Sequence, residues 1–195
     1  DDGSRDGTEA AAARALEGFP HRIERHLENR GIGAALKTGV RAARGRWVTF
    51  LPADGQIEPE AIGTLRSACD GVDVVFSVYD HRDDGLDRTI LSWGVRALIF
   101  AVHGVRLRSD GPYLIRRSVF VPDELPPDSF FLNFELPIRV LAADLPTRTV
   151  TIACRPRLAG VSKSTGLRRI ADVWLDLVAL RRRRAARAWS ILRGR

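Results

Sequence analysis

Asp54 and Gln56, a carboxylate and an amide two residues apart, stand in the stretch WVTFLPADGQIEPE at 47–60. There a short apolar run passes into an acidic turn and then a Pro-Glu helix start. Hard oxygen donors at the carboxyl end of a buried strand can seat a metal-bound diphosphate. A carboxylate is costly to bury alone, so Asp54 is expected to be either exposed or occupied by a cation. An ordinary structural turn is the competing reading, since Asp and Gly are turn residues.

Other motifs carry less. The opening DDGSRDGT at 1–8 reads as a solvated turn, a calcium loop, or a strand-end acidic pair above a helix N-terminus, where a nucleotide base and ribose would be held. Counted from Asp2, the calcium loop fails because its twelfth position is Ala13 and not a bidentate glutamate. Gly31-Ile32-Gly33 resembles the start of a dinucleotide fingerprint, but Leu36 replaces the third glycine and no convincing strand precedes it. Close helix packing at Gly33, Ala34 and Ala35, with Asn29 and Gly31 forming the turn, is the better account. His21, His26, His81 and His103 show no ligand spacing, and neither a G-x-S-x-G elbow nor a G-x-x-x-x-G-K-[ST] loop occurs.

The elements that must position these groups follow from periodicity. Helices are expected at Thr8 to Glu17, Gly33 to Arg44, Pro59 to Cys69, Ile90 to Val105 and Phe134 to Ala143. Strands are expected at Arg46 to Leu51, Val72 to Val78, Gly111 to Arg117 and Thr147 to Ile152. Strand and helix alternate, which predicts an α/β domain with a mainly parallel sheet. From Leu167 to Arg195 the pattern changes: Ile170, Val173, Trp174, Leu177 and Val178 recur at helical spacing, followed by Arg181 to Arg184. This is a basic amphipathic helix, whose apolar stripe either docks on the domain or lies in a membrane surface. The expected organisation is one α/β domain over 1–166 and this helix over 167–195.

The chain has 195 residues, enough for one domain with a sizeable core, and a net charge of +7. Nine arginines against Asp172 and Asp176 after residue 166 account for all of that charge, so the body is neutral. A basic tail on a neutral body points to a local anionic surface, and the sparse aromatic residues argue against nucleic acid. Two distant cysteines, Cys69 and Cys154, fit neither a disulfide framework nor a zinc ribbon and favour a reducing, cytoplasmic setting. No apolar run reaches the roughly 18 residues of a membrane span. The chain has no methionine and opens on what reads as the end of a strand, so a preceding N-terminal portion is expected.

Taken in order, DDGSRDGT (1–8), NRGIGAALKTGVRAARGRWVTFLPADGQIEPE (29–60), SDGPYLIRRSVF (109–120), FELPIRV (134–140) and RPRLAGVSKS (155–164) resemble family 2 glycosyltransferases. The match is nearest to the polyprenyl-phosphate, dolichol-phosphate mannosyltransferase-like group. The resemblance implies a GT-A fold, a UDP- or GDP-sugar donor, Mg²⁺ or Mn²⁺, and inversion at the anomeric carbon. It implies that Asp1 and Asp2 lie near the nucleoside, and that Asp54 is the last aspartate of a DxD motif followed by Gln56. Pro52 replaces the first aspartate of that motif. Asp110 matches an acceptor-side aspartate, and Arg117 a basic residue closing the next strand. Arg157, Gly160, Ser162 and Lys163 match an R-x-x-G-x-S-K loop near donor phosphates and acceptor.

The chemistry so implied is attack of an acceptor oxygen on the anomeric carbon with departure of a nucleoside diphosphate. A lipid-phosphate acceptor, polyprenyl phosphate at the inner membrane face, needs no general base. A saccharide hydroxyl, as in cell-surface polysaccharide synthesis, needs one, with Asp110 or Glu135 as candidates. Glu135 is equally well read as the partner of Arg139 one helical turn on. No Q-x-x-R-W motif of processive synthases occurs. A non-catalytic domain of the same fold is the rival reading, and the oligomeric state is left open.

Overall fold

The computed structural model describes residues 1–80, 86–125, 128, 131–155 and 173–185. The elements run α1 (Thr8–Ala15), α2 (Ile32–Ala42), β1 (Trp47–Val48), α3 (Ala61–Ser67), β2 (Val74–Tyr79), α4 (Leu86–His103), β3 (Leu114–Arg116), α5 (Leu132–Ala142) and β4 (Thr147–Ile152). A last helix, α6, covers 173–185. The four strands are hydrogen bonded in the order β1-β3-β2-β4. The helix-strand alternation read from the sequence is present, and the sheet is mixed: β2 runs parallel to β4 over six residue pairs and antiparallel to β3 over two.

The antiparallel pairing also fixes where β3 begins. After α4 the chain does not turn directly into a strand; residues 104–113 run without regular structure first. The last of them, 110–113, are already aligned against β2, because the register Val74↔Ile115 and Val75↔Leu114, carried outward, sets Pro112 opposite Ser77. Proline has no N–H for a ladder bond, and the buried Ser77 hydroxyl donates to the Pro112 carbonyl at 2.6 Å. Regular β3 therefore begins only at Leu114, three residues later than the expected start at Gly111. The strand expected over Arg46 to Leu51 is likewise reduced to Trp47–Val48.

Internal contacts divide the chain into two compact units, Asp1–Val48 with Arg116–Leu136, and Thr49–Ile115 with Pro137–Arg195. In the first, Phe131 and Leu132 are wholly buried, and α2 buries Gly33, Ala34 and the stem of Lys37. The Lys37 ammonium meets Asp128 Oδ1 at 2.7 Å, which satisfies a cation that burial alone would penalise. In the second, β2 is the centre: Val74, Val75 and Phe76 are almost completely buried, as expected of a strand covered on both faces. Each such side chain stabilises by roughly 1.5–3 kcal/mol. β4 is covered less, with Arg148, Thr149 and Thr151 exposed and only Ile152 buried.

Helix α6 belongs to this second unit and is docked, with Leu177 and Leu180 wholly buried. Its polar link is His103 at the end of α4. The buried ring faces the Leu177 carbonyl through Nε2 at 3.1 Å and the Arg184 guanidinium through Nδ1 at 3.2 Å. A nitrogen that donates to a carbonyl and one that accepts from an arginine together require the neutral ring. Burial, then Arg184 and Arg181, hold the His103 pKa below its ordinary 6.5, against the opposing pull of the Leu177 carbonyl. A depressed histidine means that the unfolded chain binds the proton more tightly. The contribution of this contact to stability is therefore present above pH 6.5 and lost as pH falls below it. His103→Gln offers an amide donor and acceptor without titrating. Urea midpoints of the native chain should fall between pH 7 and pH 5 more than those of His103→Gln; equal falls would remove His103 from the account.

Candidate functional site

The PADGQ turn lies in the second unit, between β1 and α3. Gly55 has φ +72, a conformation open to glycine and strained for most other residues. That turn brings the Gln56 N–H to Asp54 Oδ1 at 3.2 Å, and Asp54 is half-buried. Ile57, the residue after Gln56, is buried and anchors the loop.

The loop is also held from a distant part of the sequence. Just past β4, the Arg155 N–H donates to the Gln56 carbonyl at 2.9 Å, and Gln56 Nε2 returns a bond to the Arg155 carbonyl at 3.3 Å. The Arg155 guanidinium meets Glu58 at 2.6 Å. Neither Arg155 nor Glu58 was among the site residues expected from the sequence, although Arg155 opens the matched RPRLAGVSKS segment. Arg157, Ser162 and Lys163 lie outside the described residues, but Arg155, two positions before Arg157, is fixed to the Asp54 turn.

Asp110 sits in the same unit, where its N–H donates to the Ser77 carbonyl at 2.9 Å. Its carboxylate pairs with the Arg96 guanidinium of α4, a partner the sequence reading did not identify. The next residue, Gly111, has no room for a side chain: a Cβ there would lie 2.7 Å from Ser77 Oγ and 2.9 Å from the Tyr79 ring. Tyr113 completes this layer, edge-on to Phe50 and Phe76 at centroid distances of 5.2 and 6.3 Å. Its buried hydroxyl takes no hydrogen bond among the described residues, and burial drives its pKa upward.

In the first unit the two leading aspartates differ in use. Asp2 is committed to its own chain: Oδ1 takes the Arg30 N–H at 2.9 Å and faces His26 Nδ1 at 2.7 Å, while Oδ2 takes the Gly31 N–H at 2.8 Å. Desolvation raises its pKa, but the bonds from Arg30, His26 and Gly31 outweigh it and leave the carboxyl below its ordinary value. Asp2 thus sets the turn into α2, where Gly31 has φ +92. His26 passes the link on to Thr38 Oγ1 at 2.9 Å. Asp1 accepts from the Ser4 N–H through Oδ1 at 3.0 Å. Its buried Oδ2 takes no hydrogen bond among the described residues, with Arg25 Nε 3.5 Å away. Arg117 is exposed and donates through Nε to the Gly45 carbonyl at 3.0 Å. Glu135 is fully buried at the start of α5.

The donor set around Asp54, a carboxylate and a side-chain amide, is of the hard-oxygen kind that suits Mg²⁺ or Mn²⁺. Among the described residues there is no cluster of three side chains of the ligating types His, Cys, Asp and Glu. The set therefore fits an ion that draws its remaining ligands from substrate phosphates and water, and not an all-protein cage.

Residues 1–121 match the model of the family described as Glycosyl transferase family 2. The chain is similar to dodecaprenyl-phosphate galacturonate synthase of Rhizobium johnstonii, 34% identical over 116 residues, covering 57% of this chain and 34% of that protein. It is also similar to dolichol-phosphate mannosyltransferase of Mycosarcoma maydis, 37% identical over 106 residues, covering 50% of this chain and 36% of the relative. The chain thus spans about a third of the length of these curated relatives. In fold it is similar to glucosyl-3-phosphoglycerate synthase of Mycobacterium tuberculosis in complex with Mn²⁺, UDP-glucose and phosphoglyceric acid. The TM-score is 0.62 at 23% identity, over 92% of this chain and 65% of that one. The fold is accordingly GT-A-like.

Gly111→Ala should cost about 1–3 kcal/mol, the ordinary penalty of overpacking, because the added methyl meets Ser77 and Tyr79 and must move the Asp110 backbone. Chemical denaturation reads this directly, and an unchanged midpoint would show that the contact is slack.

Proposed function

Because the chain belongs to glycosyltransferase family 2, we propose that it is the donor-binding part of an inverting transferase. The enzyme moves a sugar from a UDP- or GDP-sugar to polyprenyl phosphate at the cytoplasmic face of the membrane, in cell-envelope synthesis. The observation that carries this reading is the reciprocal bonding of Gln56 and Arg155. It joins the carboxylate turn to the start of the segment that contains Arg157, Ser162 and Lys163. A carboxylate next to a cationic segment is what a nucleoside diphosphate bound with a metal ion requires.

In this reading Asp54 and the Gln56 amide hold Mg²⁺ or Mn²⁺. A bound ion of that kind supplies charge neutralisation on the departing diphosphate. Asp1, whose Oδ2 faces Arg25 but takes no hydrogen bond among the described residues, is better suited than Asp2 to receive a nucleobase N–H or ribose hydroxyl, since both oxygens of Asp2 are used at the turn into α2. Arg117, Arg157 and Lys163 contact phosphate oxygens, and Ser162 adds a hydroxyl donor. An oxygen of the acceptor phosphate attacks the anomeric carbon as the bond to the diphosphate breaks on the opposite face, which inverts the centre and releases the nucleoside diphosphate.

The names of the two relatives, which act on dodecaprenyl and dolichol phosphates, support a lipid-phosphate acceptor. So does the site. A saccharide hydroxyl would need a general base; of the two candidates, Asp110 is engaged by Arg96 and Glu135 is fully buried. A phosphate acceptor is already anionic near neutral pH and leaves the Asp110–Arg96 pair intact. The exposed arginines of α6, Arg181 and Arg182, would hold the enzyme against anionic headgroups. No helix among the described residues is long and apolar enough to cross a membrane, so attachment through α6 would be peripheral.

The full chain, incubated with labelled UDP- and GDP-sugars and polyprenyl phosphate, is expected to give a labelled glycolipid only when Mg²⁺ or Mn²⁺ is added. Asp54→Ala should lower the rate by at least about a hundredfold, in the range of lost electrostatic stabilisation at a reacting phosphate. Transfer to a saccharide with none to the lipid would overturn the acceptor assignment. Donor binding with neither transfer nor hydrolysis would favour the non-catalytic reading.

A further inference from the structure

Helix α4 carries an apolar stripe on its outer side. Trp93 is 72% exposed and Phe100 49%; seven positions apart, they lie on one helix face. Arg96 and Ala97 between them are exposed as well. Leaving two large aromatic side chains in water forgoes several kcal/mol of burial, and exposed aromatic surface of this kind marks an interaction site.

The surroundings say what kind. After Gly104, Val105 and Leu107 are buried while Arg106 and Arg108 are exposed, so the two guanidiniums fall on one side of that segment. Arg106 lies over the Phe100 ring at 5.6 Å. Arg96 is already offset by Asp110, and the uncompensated charge next to the stripe is therefore that of Arg106 and Arg108. Aromatic rings flanked by arginines are the composition of a membrane interface, where the ring enters the acyl boundary and the cation stays among phosphates. A second copy of the chain placed face to face would set Arg106 and Arg108 against themselves, a like-charge arrangement that disfavours a dimer through this surface.

We propose that Trp93 and Phe100 of α4, with Arg106 and Arg108, form a second membrane-contacting surface that inserts into the headgroup region of an anionic bilayer. The inference rests on the peripheral membrane reading above and adds to it. That reading assigned contact to the basic helix alone, whereas here the element that carries Arg96, the partner of Asp110, itself touches the lipid. Since α4 is joined to α6 through His103, the two contacts belong to one structural body. Trp174 and Leu175, exposed on α6, supply apolar contact on the other element.

The test uses the full chain with vesicles of phosphatidylglycerol and phosphatidylcholine, some carrying brominated acyl chains. A variant with Trp47, Trp174 and Trp189 replaced by Phe leaves Trp93 as the sole fluorophore. Its emission should shift to the blue and be quenched by the brominated lipid. In the otherwise native chain, Trp93→Ala with Phe100→Ala should weaken vesicle binding at least tenfold, with circular dichroism unchanged. Co-sedimentation with vesicles, an unquenched Trp93 and an unaffected double variant would overturn the surface on α4 and leave the α6 reading standing. Absence of co-sedimentation altogether would overturn both. Saturable binding of an acidic protein at Trp93, with no lipid quenching, would reassign the surface.

Discussion

The pairing of Gln56 with Arg155 is the constraint on which the candidate site depends. The two residues are 99 positions apart, and each gives a backbone or amide donor to the other's carbonyl. A surface turn of Pro, Ala, Asp and Gly has little burial of its own to fix it. Bonded to the chain leaving β4, itself aligned parallel to β2 over six residue pairs, it is tied to the end of the sheet. The position of the Asp54 carboxylate is thereby set by the core of the second unit. Glu58 and the Arg155 guanidinium close the same junction from the side, a largely exposed pair whose worth is orientation more than stability.

Much of this was legible in the sequence, and what was not has a common cause. The helices and β4 follow from periodicity, because amphipathic spacing is a property of neighbouring residues; β4 occupies Thr147–Ile152 as expected. The carboxylate turn and the family resemblance were likewise readable, since the motifs recur in order. The antiparallel entry of β3 was not. It depends on how residues 110–113 align against Ser77, a tertiary fact that no local pattern carries. The partners of Asp110 and Gln56 escaped for the same reason, as Arg96 and Arg155 are ordinary surface arginines until the fold brings them in. Asp2 has a structural task that the motif did not announce. Its place in a matched acidic pair pointed to a ligand, and both its oxygens also stabilise the turn at Gly31.

Charge is distributed in a way that separates two tasks. Within the body, several cations are matched: Lys37 and Arg30 with Asp128, Arg41 with Asp123, Arg96 with Asp110, Arg155 with Glu58. On α6 and beside α4, Arg106, Arg108, Arg181 and Arg182 are exposed near the exposed Trp93 and Trp174. Matched pairs orient groups inside a domain, while unmatched ones address an external anion. His103 stands where these two regimes meet, its neutral ring accepting from Arg184 and bonding the α6 backbone.

The central claim is that the Asp54 turn seats the metal-bound diphosphate even though Pro52 replaces one carboxylate of the motif. The most direct measurement is a crystal structure of the full chain grown with Mn²⁺ and a nucleoside diphosphate, with the ion located by its anomalous scattering. The account predicts a manganese peak within about 2.0–2.4 Å of an Asp54 carboxylate oxygen and of a diphosphate oxygen, with water completing the shell. A diphosphate bound with its manganese ligated by other side chains and Asp54 turned away would contradict it.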